Sequence, residues 1–191
     1  MIPLQHCPVP HLQHEGEFNL FLEKYYIPLK AERVMEIGSF YGATLWAWIA
    51  NGEKLKELIS IDLPIPPSDG RYQDMVRSRK LWLDWTSQLD FMDFEGDSHS
   101  QEISMQVSHV VSHGTYDMLF IDGDHTYNGV SLDWVMYKSF VRPGGLVVFH
   151  DSTGYDSVKK VCDEIRQDPQ YQTDEIYIQG GWGLFIVKIP E

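Results

Sequence analysis

Arg33-Val-Met-Glu-Ile-Gly-Ser-Phe-Tyr-Gly-Ala-Thr44 is the stretch that decides the fold. Arg33 to Ile37 is a short, mostly apolar run with two β-branched residues, and Gly38 ends it. Such a run reads as a buried strand. From Gly42 the pattern changes to an apolar helix through Asn51, with Gly52 as its stop. A strand that feeds a glycine turn and then a helix is the first half of a βαβ unit.

The same alternation continues along the chain. Strands are expected at Leu58 to Asp62, Leu89 to Phe94, Asp117 to Ile121 and Leu146 to Phe149. Helices are expected at Glu17 to Leu29, Arg71 to Thr86, His99 to Ser112, Asn128 to Phe140 and Asp156 to Arg166. Arg142-Pro-Gly-Gly145 reads as a turn. Two closing strands, Glu175 to Ile178 and Leu184 to Ile189, flank Gly180-Gly181. Apolar strands alternating with helices give an α/β three-layer sandwich, Rossmann-like, with a mostly parallel sheet. The final connection is too short for a parallel crossover, so the last strand must run antiparallel. The chain reads as one domain over 1–191, with 1–30 as lead-in and first helix. Three prolines within the first ten residues make that lead-in irregular and loosely packed in expectation.

In an open parallel sheet, ligands bind beyond the carboxyl ends of the strands, and the chemistry-bearing residues of this sequence cluster there. A dinucleotide site needs GxGxxG. Aligning Gly38 with its first glycine puts Phe40 at the second, where a pyrophosphate must approach the backbone. Glu36 at the strand tip would repel that pyrophosphate and attract a cation. Ser39, Tyr41, Gly42 and Thr44 share this turn and count with Glu36 and Gly38 as cofactor-binding candidates. Asp62, at the next strand end, can accept from both hydroxyls of a ribose. Asp97 and Ser98 follow the third strand, where Asp97 can accept from an adenine amine and Ser98 can bond a ring nitrogen. Both are also favoured helix caps.

The strings EIGSFYGAT, SIDLP, FEGDSHS, LFIDGDHTYNGVSLDW, VRPGGLVVFHDS and GGWGLFIVK occur here in order. Together they resemble class I S-adenosylmethionine-dependent methyltransferases. The similarity is strongest to a small-molecule branch that includes cephalosporin-hydroxylase-like and macrolide-sugar O-methyltransferase-like proteins. The resemblance spans roughly residues 30–189 and implies a seven-stranded sheet of order 3-2-1-4-5-7-6. It implies Glu36, Gly38 and Gly42 at the methionine end of the cofactor, Asp62 on the ribose, and Asp97 and Ser98 at the adenine.

A second constellation follows the fourth and fifth strands: Asp122, Asp124, His125, His150 and Asp151. So many acids and imidazoles on one rim must share protons or a cation. A hydroxyl acceptor needs its proton removed, and a base or a bound Mg²⁺ can do that. His125, then Asp124, are the candidate bases. Asp122 and Asp151 are candidate metal ligands, with His150 or Asp124 as further partner, and Asp122 also counts among the cofactor-binding residues. In metal-using members of the resembled family two adjacent acids stand at the fifth-strand tip. Here the first of them is His150, a softer ligand than Mg²⁺ prefers. A metal-free domain with a histidine base fits the same residues.

The net charge of −13 disfavours nucleic acid as a partner. A small-molecule acceptor, a sugar, phenol or natural-product hydroxyl, is expected instead, and a homo-oligomer is open. Cys7 and Cys162 form no disulfide framework, and no signal-peptide pattern or membrane-length apolar run occurs. A cytoplasmic protein is expected. Methyl transfer competes with two other functions: a non-catalytic S-adenosylmethionine-binding protein of the same fold, and a metal-dependent hydrolase using His150 and Asp151.

Overall fold

Side chains alternate across every central strand, and that alternation builds the two layers of core. In β1 (Arg33–Ile37), Val34 joins one apolar cluster while Met35 and Ile37 join the other. Met118 and Phe120 oppose Leu119 and Ile121 in β4 (Tyr116–Ile121) in the same way. Helices cover both faces because both faces are apolar. The computed structural model describes Met1–Glu191. The remaining strands are β2 (Glu57–Asp62), β3 (Asp90–Glu95), β5 (Val141–His150), β6 (Gln172–Ile176) and β7 (Leu184–Lys188). They form one seven-stranded sheet of order β3-β2-β1-β4-β5-β7-β6. All pairings are parallel except β5 with β7 and β6 with β7.

One face carries α1 (Glu15–Phe21), α2 (Ile27–Leu29), α3 (Ala43–Asn51) and α4 (Tyr72–Trp85), and the other carries α5 (Gln101–Val110), α6 (Tyr127–Tyr137) and α7 (Asp156–Gln167). Trp48 and Trp82 are fully buried in the first layer, as core rather than ligand platforms. The strand order reverses between β1 and β4. The loops that leave their tips turn to opposite faces and open a cleft there.

Three local expectations are corrected. The first helix is not uniform: Leu22–Tyr26 form a π-helical turn between α1 and α2. Arg142 to Gly145 belong to β5, not to a turn before it. The register slips between Tyr116 and Met118, and Gly144 takes up a positive φ of 73°. Arg142 donates its Nε–H to Asp117, which holds this stretch against β4. Finally, the lead-in is packed. Leu4 and Val9 are buried in the core, and Asn19 accepts the Leu4 N–H at 2.9 Å.

The lead-in stays in place largely through Glu17. Its carboxylate is only 1% exposed. It accepts the backbone N–H groups of Ile178, Trp182 and Gly183 at 2.8, 3.0 and 3.1 Å. The loop between β6 and β7 is thereby tied to α1. A Cβ on Gly181 would stand 2.2 Å from the Glu17 carboxylate, so only glycine lets the loop close over it. Glu17→Ala leaves three N–H groups without an acceptor. It is expected to lower unfolding stability by about 3 kcal/mol in a urea titration, and a loss under about 1 kcal/mol would mean that water replaces the carboxylate at no cost.

Candidate functional site

Gly38 sets the geometry at the tips of β1 and β4. A Cβ there would meet the Asp122 carbonyl oxygen at 2.1 Å, so the two loops touch backbone to backbone. Gly38 and Gly42 have φ of 88° and 81°, which L side chains rarely adopt. At Gly42 the space of the missing side chain is filled by the Trp82 indole, whose Nε1–H donates to the Tyr41 carbonyl at 2.9 Å. The turn is thus clamped from behind by α4. In front of it lies a cleft of about 850 Å³, within the range of small-molecule sites.

The cleft gathers most of the residues singled out from sequence. Gly38, Ser39, Tyr41, Thr44, Asp62, Asp97, Ser98, Asp122, Asp124, His125, His150 and Asp151 all line it. Gly42 stands within the same turn, behind the lining. Glu36 does not line the cleft. It lies under α3, wholly buried, where Thr44 Oγ1 and Trp48 Nε1 each donate to it at 2.5 Å. Burial pushes its carboxyl up to about 8, against the pull of those two donors. Thr44 is committed to that bond.

Asp62 is held in one orientation. It accepts the Phe40 N–H at 2.7 Å and the Leu63 N–H at 2.9 Å, which fixes its plane at the cleft wall. Burial raises it to about 6. Two ribose hydroxyls would supply the donors that the site withholds. The buried Ser39 hydroxyl makes no well-aligned hydrogen bond within the chain and lies beside the Glu36 carboxyl. Beyond β3, Asp97 is exposed and accepts the His99 N–H at 2.9 Å. Ser98 instead turns its hydroxyl to Asp133 of α6, donating at 2.7 Å.

At the other end, Asp122 and Asp151 face two imidazoles. His125 Nε2 stands 2.8 Å from Asp151 and 3.6 Å from Asp122. His150 Nδ1 stands 3.0 Å from Asp151 and 3.3 Å from Asp122. Neither nitrogen is aligned for a directed hydrogen bond, so these are ionic contacts. The contacts with Asp122 and Asp151, against partial burial, push His125 up to about 9. Burial works against a charge on His150, yet the two carboxylates outweigh it and push it up to about 10. Burial would raise both carboxylates, but the imidazoles win and hold them below their usual range. At neutral pH the cluster is two ion pairs, and His125 already holds a proton.

Asp151 has a φ of 62°, unusual for a residue with a side chain, and this costs about 1 kcal/mol. His125 lies face to face with Tyr155, 4.4 Å between ring centres. Asp124 has both oxygens engaged by Thr126, through its N–H and its hydroxyl, in the turn that starts α6. Asp122, His125 and Asp151 bring three donor atoms within 4.8 Å of one another, a spacing that fits a divalent ion. His150, named as a ligand from sequence, is the more buried of the two histidines and stands outside that trio. Two carboxylates with an imidazole suit Mn²⁺ or Zn²⁺ better than Mg²⁺.

Several cleft residues were not found from sequence. Gln13 of the lead-in donates its amide to Asp122 at 3.1 Å across 109 residues of chain, and no local pattern signals that. Its Oε1 is buried without a partner. Tyr155 lines the same end, and so does Trp182, whose place in the glycine turn near the sheet's end does mark it in the sequence as a candidate pocket lid. Asp133 did carry a signal: an acid between Leu132 and Trp134 on a buried helix. The cleft's one arginine, Arg71, is paired with Asp69 at 2.8 Å. The lining is therefore acidic, and it favours a cation over a phosphate.

A family model described as "Methyltransferase domain" matches residues 35–152. The uncharacterized protein R132 of Acanthamoeba polyphaga mimivirus is 31% identical over 122 residues, 63% of this chain. The match takes in 52% of that viral protein, so the chain spans about half the length of this relative. An O-methyltransferase from Bacillus cereus solved with S-adenosylhomocysteine superposes with a TM-score of 0.64 at 15% identity, covering 97% of this chain and 86% of its own. The O-methyltransferase TomG of Streptomyces achromogenes, involved in tomaymycin synthesis and solved with S-adenosylmethionine, gives a TM-score of 0.68 at 16% identity, with 94% and 82% covered. At such identities these two structures establish the fold.

Glu36 supplies a test of the electrostatics. Its folded value of about 8 lies above the ordinary 4.5. The folded chain therefore binds this proton more tightly than the unfolded chain between those two values. Its contribution to stability accordingly declines as pH rises through that window. Glu36→Gln is expected to flatten the fall in denaturation midpoint between pH 5 and 8 in ligand-free protein. Equal slopes for variant and wild type would contradict the shift.

Proposed function

Since the chain belongs to the methyltransferase-domain family, we propose that it moves a methyl group from S-adenosylmethionine to a hydroxyl of a small molecule. The observation that carries this reading is the acid-lined cleft at the β1–β4 switch point, with Asp62 already fixed by two backbone N–H groups. When bound, the cofactor supplies an electrophilic methyl on a positively charged sulfur. Asp62 takes the ribose hydroxyls, and the Gly38–Gly42 turn lets the methionine end lie against backbone. Ser39 offers that end a hydroxyl that has no well-aligned partner in the chain. Glu36 lies beneath, a buried carboxyl held by Thr44 and Trp48 that burial pushes toward protonation in the free chain and that an arriving cation would favour as the carboxylate. Asp97 and Ser98 stand at the adenine.

The acceptor enters beside Gln13, Tyr155 and Trp182. Its oxygen forms the new bond to carbon as the sulfur–carbon bond breaks, and its proton must leave. His125 is the group placed to take that proton, because Asp124 is occupied by Thr126. His125 can accept only after losing the proton that Asp122 and Asp151 stabilise. Positive charge arriving beside those carboxylates competes with the imidazolium and lowers its pKa. In the alternative in which Asp122, His125 and Asp151 hold a divalent ion, the ion would acidify the acceptor hydroxyl, the proton would pass to solvent, and His125, with Nε2 given to the ion, would not be the base.

Transfer of tritium from labelled S-adenosylmethionine into the small-molecule fraction of a hydroxyl-compound library tests the activity. His125→Ala is expected to lower turnover about 10²–10⁴-fold. Cofactor binding with no labelled product would favour a binding protein instead. Unchanged turnover in His125→Ala would remove His125 from proton transfer. Calorimetric titration with Mn²⁺ and Mg²⁺ tests the ion. Heat lost in Asp151→Asn is expected, and no heat in the wild type, with or without S-adenosylhomocysteine, leaves a metal-free domain.

A further inference from the structure

Asp133 is wholly buried on α6, away from the reacting end of the cleft. A lone carboxylate in an apolar layer costs several kcal/mol unless something uses it. Here its hydrogen bond and its imidazole contact both go through Oδ1 to one short segment, the loop that leaves β3, while Oδ2 faces Gly123 with no hydrogen-bond partner. Ser98 donates its hydroxyl to Asp133 Oδ1 at 2.7 Å, and His99 Nε2 lies 3.1 Å from the same oxygen. One helical turn further on, Tyr137 donates its hydroxyl to the Ser98 carbonyl at 2.7 Å. Residues four apart on a helix share a face, so α6 grips Ser98 by its side chain and its backbone together.

The front of the loop is held differently. Asp97 accepts the His99 N–H, and Ser100 accepts the Ile103 N–H to cap α5. Those bonds are local to the loop and its helix. They do not set its distance from the sheet edge or from the cleft. Only the contacts to α6 do that among the side-chain bonds of Ser98 and His99.

We propose that Asp133 is a positioning residue for the nucleoside end of the cleft: through Ser98 and His99 it fixes the loop that meets the adenine. This rests on the cofactor assignment made above. The committed hydroxyl has a second consequence. With its proton given to Asp133, Ser98 Oγ can only accept toward any ligand, which suits an amine rather than a ring nitrogen.

S-adenosylhomocysteine titrated calorimetrically into the full chain tests the proposal, using wild type, Asp133→Asn, Ser98→Ala and the double variant. Asp133→Asn is expected to weaken binding about tenfold or more. In the double variant the losses should not add, because one acts through the other. 5′-Methylthioadenosine, which keeps the nucleoside and lacks the amino-acid end, should lose the same factor in Asp133→Asn. A purely structural Asp133 would lower the melting temperature yet show no coupling to Ser98. Should Asp133→Asn fail to fold, Tyr137→Phe removes the other grip and is expected to weaken binding in the same direction. Affinity within about twofold of wild type, or additive losses, overturns the proposal while leaving the cofactor assignment intact. Wild-type protein that binds no S-adenosylhomocysteine overturns both.

Discussion

Carboxylates gathered along one edge of a low-dielectric sheet have to be neutralised, and the organisation of this protein follows from how that is done. Each acid at the edge has its own solution. Glu36 takes two neutral donors from α3 and is pushed toward protonation. Asp62 takes two backbone N–H groups. Asp133 takes a serine hydroxyl and lies beside a histidine. Asp122 and Asp151 take two imidazoles and remain ionised. None of these acids forms a direct salt bridge with a lysine or arginine; Arg79 acts on Asp62 only at a distance. The edge therefore keeps an appetite for positive charge that a sulfonium or a divalent ion can meet, and a pyrophosphate cannot.

Packing holds that edge open. The sheet is covered on both faces, but the loops at its carboxyl end are fixed one by one from the helices behind them. Trp82 of α4 props the Gly38–Gly42 turn. Asp133 and Tyr137 of α6 hold the loop after β3. Glu17 of α1 ties the β6–β7 loop, and with it Trp182, to the lead-in that carries Gln13. The part of the cleft around Gln13 and Trp182 thus draws on the two ends of the sequence, whereas the part around Asp62 and Asp97 is assembled from contiguous strand–loop–helix units.

That difference explains what was legible in the sequence. The alternation of strands and helices and the reversed last strand followed from short apolar runs, helix-length spacers and one short final connection, all local signals, whereas the strand order came only from the resemblance to class I methyltransferases. The cleft's acidic residues were visible because they stand just past strands. Glu36 was placed in the right turn but not in its actual setting. The alternation along β1 sends it to the face under α3, and Trp48 twelve residues later gives no local hint of accepting it as partner. The lead-in was misread because its prolines speak against regular structure and say nothing about packing, and Leu4 and Val9 are buried without forming part of any periodic element. Gln13 and Tyr155 reach the cleft through long-range contacts that no spacing encodes. Asp133 was legible in principle, as an acid on a buried helical face.

A crystal structure of the complex with S-adenosylhomocysteine tests the central claim most directly. The account requires the ribose hydroxyls on the Asp62 carboxylate, the sulfur near Asp122 and the adenine against Asp97 and Ser98. A nucleoside bound elsewhere, or one bound in this cleft with Asp62 still facing only the Phe40 and Leu63 N–H groups, would contradict it.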